Sequence, residues 1–509
     1  MEMLSLNNAT PMRSTITVFS CLIAFAFART LPAMAKWYRW FEASGLEISK
    51  HRGFGQSAGK AFGWIPNPPA LSNELFLASG ISLVASLLLS CSNLAPAGCL
   101  VASLVLYWLY MGQLYCEAHV GSHVTVLIPP MLLVALASPC GLAAEEAGRV
   151  PLEAQMLPLF VLKAVLTTAY ASAGFSKLWA SIREGVFWGN GSTLQYYCLE
   201  ALFFNRSDAS HGGVPHSSFG VPTPYSYHLQ RFLVRHPRLC AVMSVKSLLF
   251  EAAAPVVLFY PEFGVPFAVA GVGFHYGIAL FQNIDFFSWW GPFYVLFAFE
   301  DPAVYDNGIG NMISASFSFA PVGTALCLAY LAAHVLVMPW AAYHGPIDIL
   351  PFSSFHMFSD PKNMWDPARS KSWWLTTKEH ATGTLKHYAF PFARKQHVTV
   401  EEMPRLPFKY LFVGSHPERS FGNVDVTPKL TDIIDKMRAE WTKGAEHYLN
   451  AESIERMLCL LEDAKAEFAT TSRAAQKEEP AKGPVDQATA DYKPYVKARL
   501  DTATSAVIM

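Results

Sequence analysis

Residues 155–179 read QMLPLFVLKAVLTTAYASAGFSKLW, an apolar run that contains one lysine and is closed by a second. A helix needs about 20 mostly apolar residues to cross the roughly 30 Å hydrocarbon core of a bilayer. The stretch from 155 to 176 meets that requirement and predicts a membrane-spanning helix. Because similar stretches recur through the first 340 residues, the sequence predicts an all-α polytopic transmembrane bundle of about eight or nine spans.

Nine segments are candidates for these spans, and two of them have a second interpretation. The eighth is short and is either a tilted span or half of a broken one. Residues 14–28 are about as long as a signal-peptide core, with a small-residue cleavage pattern at 26–28, but the apolar character continues beyond Arg29 and favours a retained span. The segments are 14–34, 75–92, 96–116, 121–142, 155–176, 239–260, 264–282, 286–299 and 318–340.

Charge is distributed unevenly along the chain. Charged residues make up 15% of the 509 residues, against about a quarter in a typical soluble protein, and none occurs between Glu74 and Glu117. Residues 360–480 are densely charged, which predicts a soluble region after the bundle. The net charge of −1 argues against a broad nucleic-acid surface, so no nucleic-acid partner is expected.

The bundle is predicted to occupy residues 1–345, and the residues after it are predicted to form a small soluble α+β appendage. We expect an aromatic membrane-proximal linker at 346–371, a small β-rich region at 372–425, and two amphipathic helices within 426–470. The second helix places Ile454, Met457, Leu458 and Leu461 on one face, so residues 428–469 could dock a protein partner. The composition of 471–509 is mostly typical of a disordered tail.

Ionisable residues inside membrane helices are expensive to bury, so they are candidate functional residues. Each also has a structural interpretation. A lysine at a helix end often reaches the interface, Lys246 and Glu251 could form an ion pair in the bundle or with neighbouring helices, and a lone histidine is often a satisfied core residue. The candidates are His119, His123, Lys163, Lys177, Lys246, Glu251 and His275.

Metal binding is not expected. The nine cysteines form no CxxC pair, which gives neither a zinc signature nor a disulfide framework. His119 and His123 lie four residues apart on one helical face, but no third ligand follows at a known spacing.

Two ordered motifs carry a resemblance to a known family. Tyr170-Ala-Ser-Ala-Gly-Phe-Ser-Lys-Leu-Trp179 is followed by Thr193-Leu-Gln-Tyr196, and Phe274-His-Tyr-Gly-Ile-Ala-Leu-Phe281 is followed by Ile284-Asp-Phe-Phe287. Together with Ser122-His123 and with Glu251 about twenty positions before His275, they resemble the HTTM-domain proteins, which include the vitamin K-dependent γ-carboxylases. The resemblance covers roughly residues 14–360.

The resemblance implies a catalytic set. Lys177 matches the lysine that deprotonates reduced vitamin K in the carboxylases, and His123 and His275 would supply hydrogen bonds or stabilise developing charge. A desolvated lysine can act as a base, so the role is physically reasonable. The implied cofactor is reduced vitamin K or another quinone. From the predicted spans we expect a multi-pass integral membrane protein; an endomembrane or an organelle membrane is considered, and the sequence does not identify which membrane.

This sequence also departs from the family. Asp285 stands where the family has glycine, and we group it with Lys246 and Glu251 as structural. The soluble region of about 150 residues is much shorter than that of the animal enzymes. The basic loops 29–74 and 177–238 place Lys177 on the cytoplasmic side by the positive-inside rule, whereas the resemblance implies the lumenal side. A glycan at Asn190 or Asn205 would favour the lumen.

The resemblance suggests a membrane enzyme that uses a quinone or lipid substrate, and two other functions stay open. The protein could be a non-catalytic membrane subunit or scaffold that docks partners through its C-terminal helices. It could also be a small-molecule or lipid transporter, although the sequence contains no inverted repeat or paired broken helices.

Overall fold

The computed structural model describes most of the predicted bundle and small parts of the C-terminal region. The described residues are 11–43, 68–69, 71–91, 96–117, 127–138, 150–185, 187–195, 198, 224–282, 287–298, 308–344, 348–349, 352–353, 429, 432–433, 436, 439, 452–460, 462–463 and 466. His119, His123, Asp285, Asn205, the predicted β-rich region 372–425 and the tail 471–509 lie outside them, so those predictions stay predictions.

The described part of the chain is mainly helical. Short 3-10 segments occur at Trp188–Asn190, Ala254–Leu258, Pro261–Phe263 and Gly291–Phe297. The α-helices are α1 (Pro11–Ala43), α2 (Asn73–Leu89), α3 (Pro96–Glu117), α4 (Ile128–Ala137), α5 (Leu152–Glu184), α6 (Pro224–Arg235), α7 (Pro237–Ala253), α8 (Gly264–Gln282), α9 (Phe287–Trp290), α10 (Gly308–Phe319) and α11 (Pro321–His344).

A small antiparallel ladder lies in the predicted linker. Strand β1 (Asp348–Ile349) pairs with β2 (Phe352–Ser353), with Asp348 opposite Ser353. The ladder is two residues long on each side, so it adds little to the architecture.

Four described helices are long and apolar enough to cross a membrane: Pro11–Arg29, Leu152–Arg183, Pro237–Leu258 and Pro261–Phe281. Each of the nine predicted segments contains helix. The apolar parts of α2, α3, α4 and α11 are shorter, and α9 is a single turn followed by a 3-10 segment. The total of eight or nine spans therefore stays a prediction.

Prolines mark where several of the helices begin or end. Proline lacks an amide hydrogen and clashes with the preceding turn, but it is tolerated in the first turn of a helix. Pro129 and Pro130 lie in the first turn of α4, which begins at Ile128, and Pro321 begins α11. Pro255 follows the end of α7, where the chain continues as a 3-10 segment.

Two helices lie in stretches that the sequence assigned to loops. α6 falls within 177–238 and α10 overlaps 300–317. Each has 12 residues, which is too short to be recognised as a span. α10 nevertheless packs on α5, where the Ser316 hydroxyl donates to the carbonyl of Ala154 at 3.0 Å.

Helix α5 is the central element of the bundle. In the apolar stretch of α5 that is long enough to cross a membrane, 94% of the residues are buried. The corresponding share is 28% for the stretch that contains α7 and 22% for the stretch that contains α8. It packs against α7, α10, α11 and the segment Ala254–Leu258, while α1 packs on α2 and α2 on α3.

The outer surface of the bundle is apolar. Large side chains such as Phe25, Leu249, Val269 and Leu336 are more than half exposed, whereas lysines of α5 are buried. A polar centre with an apolar exterior is the arrangement expected when the surrounding solvent is lipid, because ionisable groups then face the bundle interior.

Candidate functional site

Three buried polar side chains lie along one face of α5. Lys163, Tyr170 and Lys177 follow one another at seven-residue intervals, and seven residues make almost two helical turns, or about 10 Å of rise. All three are at most 4% exposed. The central helix therefore carries a polar line through the interior of the bundle.

Lys177 forms a buried ion pair with Glu251 of α7. Its Nζ lies 2.6 Å from Oε1 and 2.5 Å from Oε2, so the ammonium group contacts both carboxylate oxygens. The two side chains are 4% and 7% exposed. The same Nζ lies 5.2 Å from the centre of the Trp188 ring, a distance at which a cation is attracted to the ring face.

Gly174 allows α5 and α7 to approach closely enough for this pair. A Cβ at position 174 would lie 2.7 Å from the amide nitrogen of Ala252 and 3.2 Å from the carbonyl carbon of Glu251. Both atoms belong to the backbone, so they have little room to move. The glycine of the Ala-Gly-x-x-Lys motif thus has a packing role one turn from Lys177.

The turn after α5 places Trp188 against the ion pair. The Ser181 hydroxyl accepts a hydrogen bond from the Trp188 amide at 2.8 Å and donates to the carbonyl of Lys177 at 2.7 Å. Gly191 adopts φ +88° beside the backbone of Cys240 and Ala241, which only glycine accommodates readily. The Trp188–Asn190 turn is therefore fixed on both α5 and α7.

Tyr170 is the centre of a hydrogen-bonded trio. Its hydroxyl lies 2.5 Å from Nε2 of His275 on α8 and 2.5 Å from the hydroxyl of Tyr294. A phenol hydroxyl donates one hydrogen bond and can accept others. If Tyr294 donates to Tyr170, Tyr170 can donate to the unprotonated Nε2 of His275, and the reverse order is available to the other histidine tautomer.

Gly271 of α8 makes room for Tyr294. A Cβ at this position would overlap the ring and hydroxyl of Tyr294. Since Tyr294 belongs to the 3-10 segment Gly291–Phe297, the glycine brings that segment against α8 and directs its hydroxyl toward Tyr170.

The ion pair and the trio belong to one site. Phe250, the residue before Glu251, packs against the Tyr170 ring, and Tyr170 and Lys177 share a face of α5. Aromatic rings pack around Tyr170, with the centroids of Phe250 and Trp290 each at 5.5 Å. The site thus combines a cation, an anion and hydroxyl groups inside an aromatic shell.

Lys177 and Lys246 do not match the structural interpretations given for them, whereas Glu251 matches one of its own. Lys177 does not reach an interface from the end of its helix, because α5 continues to Glu184 and the lysine is buried. Glu251 pairs with Lys177 on a neighbouring helix. Lys246 is exposed on α7, and its separation of five residues from Glu251 places it on another face of that helix.

The two other described candidates are His275, which belongs to the trio, and Lys163, which lies before Tyr170 on α5. His275 is buried and its Nε2 is hydrogen-bonded to the Tyr170 hydroxyl, so it is part of the site. Lys163 is buried two turns before Tyr170, with its Nζ 5.5 Å from the centre of the Phe297 ring.

Three contributors were not recognised in the sequence. Tyr170 lies in the quoted motif, and its seven-residue spacing from Lys177 indicates that the two residues share a helix face. Tyr294 and Trp188 follow from tertiary packing, and nothing in their local sequence marks them.

Within the residues that the structure describes, no group of three histidine, cysteine, aspartate or glutamate side chains is arranged to hold a metal ion. The side chains of the ion pair and the trio can transfer protons and stabilise charge.

Comparisons with known proteins add no family assignment. No protein-family model, no curated protein and no solved structure matches this chain.

Proposed function

We propose that the chain is a multi-pass membrane enzyme that acts with a quinone or lipid substrate inside its helical bundle, with Lys177 as the base. The observation that carries the proposal is the ion pair of Lys177 and Glu251, buried between α5 and α7 and bordered by Trp188.

The energetic cost of such a pair favours a functional role. Removing two charges from water costs several kcal/mol per ion, and their mutual attraction often does no more than offset that cost. A packed apolar pair would hold α5 against α7 at least as well. Ionisable residues within membrane helices accordingly mark reactive or conducting sites more often than purely structural ones.

The pair can supply a base without a change of net charge. Transfer of one proton from Nζ of Lys177 to Glu251 leaves a neutral amine and a neutral carboxylic acid. Burial disfavours both charged groups, so it reduces the energetic difference between the ionic and neutral forms of the pair. The amine can then remove a proton from a weakly acidic hydroxyl of a bound substrate, and in this proposal His275 and Tyr170 hydrogen-bond to the resulting anion.

The class of substrate follows from the surroundings and from the sequence resemblance. Aromatic rings at the site favour a planar ring, and the apolar exterior favours a substrate that is dissolved in the bilayer. A quinol meets both requirements and has acidic hydroxyls. The resemblance to HTTM-domain proteins points to the same class, with reduced vitamin K as one member.

The scaffold alternative has less support. The apolar residues Ile454, Met457 and Leu458, which were candidates for docking a partner, are buried within this chain. The guanidinium group of Arg235 on α6 contacts both carboxylate oxygens of Glu455, at 2.5 and 2.7 Å. A partner that bound this apolar face would have to displace these contacts.

The experiment uses the full-length protein in lipid nanodiscs. Mass spectrometry of the purified sample would identify bound lipids and quinones, and the absorbance of an added naphthoquinol or benzoquinol in aerated buffer would follow its consumption. Lys177→Met should lower the rate at least about 100-fold at equal membrane expression. Lys246→Met, which removes an exposed lysine from the neighbouring helix, should leave the rate unchanged.

Full activity of Lys177→Met would contradict the proposal. So would a wild-type protein that neither retains nor consumes any quinone or lipid substrate.

A further inference from the structure

We infer that Tyr170, with Tyr294 and His275, forms a proton relay that serves the Lys177–Glu251 pair from within the bundle. This inference rests on the proposed function, in which Lys177 and Glu251 exchange protons, and it assigns the hydroxyl trio a second role, in proton transfer.

Burial creates the need for a relay. The side chains of Lys177 and Glu251 are 4% and 7% exposed, and Gly174 closes the contact between α5 and α7 beside them. A base that takes up a proton in such a place must release it before it can act again. In a membrane interior, protons are carried by chains of titratable and hydroxyl side chains.

The trio has the chemistry that a relay requires. The Tyr170 hydroxyl has a proton acceptor or donor on each side, at 2.5 Å in both cases. His275 can take a proton on Nε2 and carry one on Nδ1, so it can pass a proton from one side of its ring to the other. Each transfer moves one proton between an oxygen and a nitrogen or a second oxygen, and no other bond changes.

The trio lies between the ion pair and the N-terminal part of α5. Tyr170 and Lys177 share a face of α5, and Phe250, the residue before Glu251, packs against the Tyr170 ring. In the other direction, the segment Gly291–Phe297 contacts Tyr170 through Tyr294 and Lys163 through Phe297. Lys163 and Lys177 therefore lie on opposite sides of Tyr170 along α5.

A comparison within the same bundle argues against a purely structural role for the trio. Tyr110 of α3 is 1% exposed, and its hydroxyl has no hydrogen-bond partner among the described residues. Burial of a tyrosine in this protein therefore does not require two close partners. The double contact of Tyr170 is a specific arrangement at the site.

The test measures how fast protons reach the ion pair. Full-length protein in nanodiscs would be moved from H₂O to D₂O, and infrared spectroscopy would follow the carboxylate band of Glu251, identified by its loss in Glu251→Gln. The band shifts when the ammonium protons bonded to it exchange for deuterium. Tyr170→Phe and Tyr294→Phe should each slow the shift by about tenfold or more, a change in barrier of about 1.4 kcal/mol. Tyr110→Phe, the matched control, should exchange at the wild-type rate.

Wild-type exchange in Tyr170→Phe and Tyr294→Phe would overturn the relay, and so would equal slowing in Tyr110→Phe. If Tyr170→Phe fails to fold, Tyr294→Phe alone tests the relay. Slower exchange in that variant supports the relay, and wild-type exchange overturns it. Failure of the relay is distinguishable from failure of the proposed function, because quinol consumption would still depend on Lys177 and not on Lys246.

Discussion

At the scale of single residues, the site depends on side chains that the structure brings together and on glycines that let them meet. Lys177, Glu251 and His275 could be recognised in the sequence because an ionisable residue in an apolar run is conspicuous. That Glu251 faces Lys177, and not Lys246, follows from the close contact of α5 with α7. The spacing along one helix could not reveal which lysine on another helix would be the partner.

Gly174→Ala tests that contact. The added methyl group would meet the backbone of Ala252 and Glu251, so we expect α5 and α7 to be forced apart at a cost of about 1–3 kcal/mol in unfolding free energy. Thermal unfolding in nanodiscs measures the change.

Gly273→Ala is the matched control, since a Cβ at that helical position would have no atom within 4 Å. It should be neutral or slightly stabilising, because glycine is the poorer helix former. Equal stability of Gly174→Ala and Gly273→Ala would contradict the proposed close approach of the two helices.

At the scale of helices and segments, apolar runs predicted where helices occur better than where they end. The run at 239–260 was continuous in composition, but Pro255 changes the backbone after Ala253 from α to 3-10. Short helices such as α10 carried too few apolar residues to resemble spans, and their positions depend on packing against α5. The local sequence shows where a proline ends a helix, but it does not show how distant helices pack together.

Oxidation should join α1 to α2. The thiols of Cys21 and Cys91 lie 3.5 Å apart, and the adjacent Ser20 and Ser90 hydroxyls lie 3.3 Å apart, so the two chain segments are close at the pair and beside it. A disulfide needs about 2.05 Å between the sulfur atoms, which small side-chain rotations can achieve. After treatment with copper-phenanthroline, mass spectrometry should count two fewer maleimide additions to the denatured protein. Cys21→Ser should remove this protection, and an unchanged count in the wild type would contradict the packing of α1 on α2.

The ion pair between Glu455 and Arg235 predicts pH-dependent docking of the C-terminal helical segment 452–460 on α6. Hydrogen bonding to the Arg235 guanidinium lowers the pKa of Glu455. A lowered carboxyl pKa contributes stability above the unfolded value of about 4.3, and this contribution is lost as pH falls through the native pKa. Hydrogen exchange of 452–460 should therefore accelerate in acid.

Glu455→Gln should show accelerated exchange of the same segment already at neutral pH. Glu452→Gln is the control, because Glu452 pairs with Arg456 of its own segment at 2.9 Å. If both variants exchanged at the wild-type rate, the contact with α6 would not hold the segment.

At the scale of the whole molecule, composition predicted the central feature, a helical bundle with an apolar exterior. Four described helices are long and apolar enough to cross a membrane, and α5 is the buried one that carries the polar line. Sequence alone could not indicate which helix would be central, because α5, α7 and α8 are all strongly apolar. Burial of α5 results from the other helices packing around it.

The most direct test of the central claim, that Lys177 and Glu251 form a buried pair in this bundle, is a double-mutant cycle on unfolding free energy in nanodiscs. Lys177→Met and Glu251→Met should each cost about 3–5 kcal/mol, because each leaves one buried charge without its partner. The double variant should recover most of that loss, since it leaves no charge, and Lys246→Met should have little effect. Additive losses in the double variant, or a Lys177→Met protein as stable as the wild type, would contradict the account.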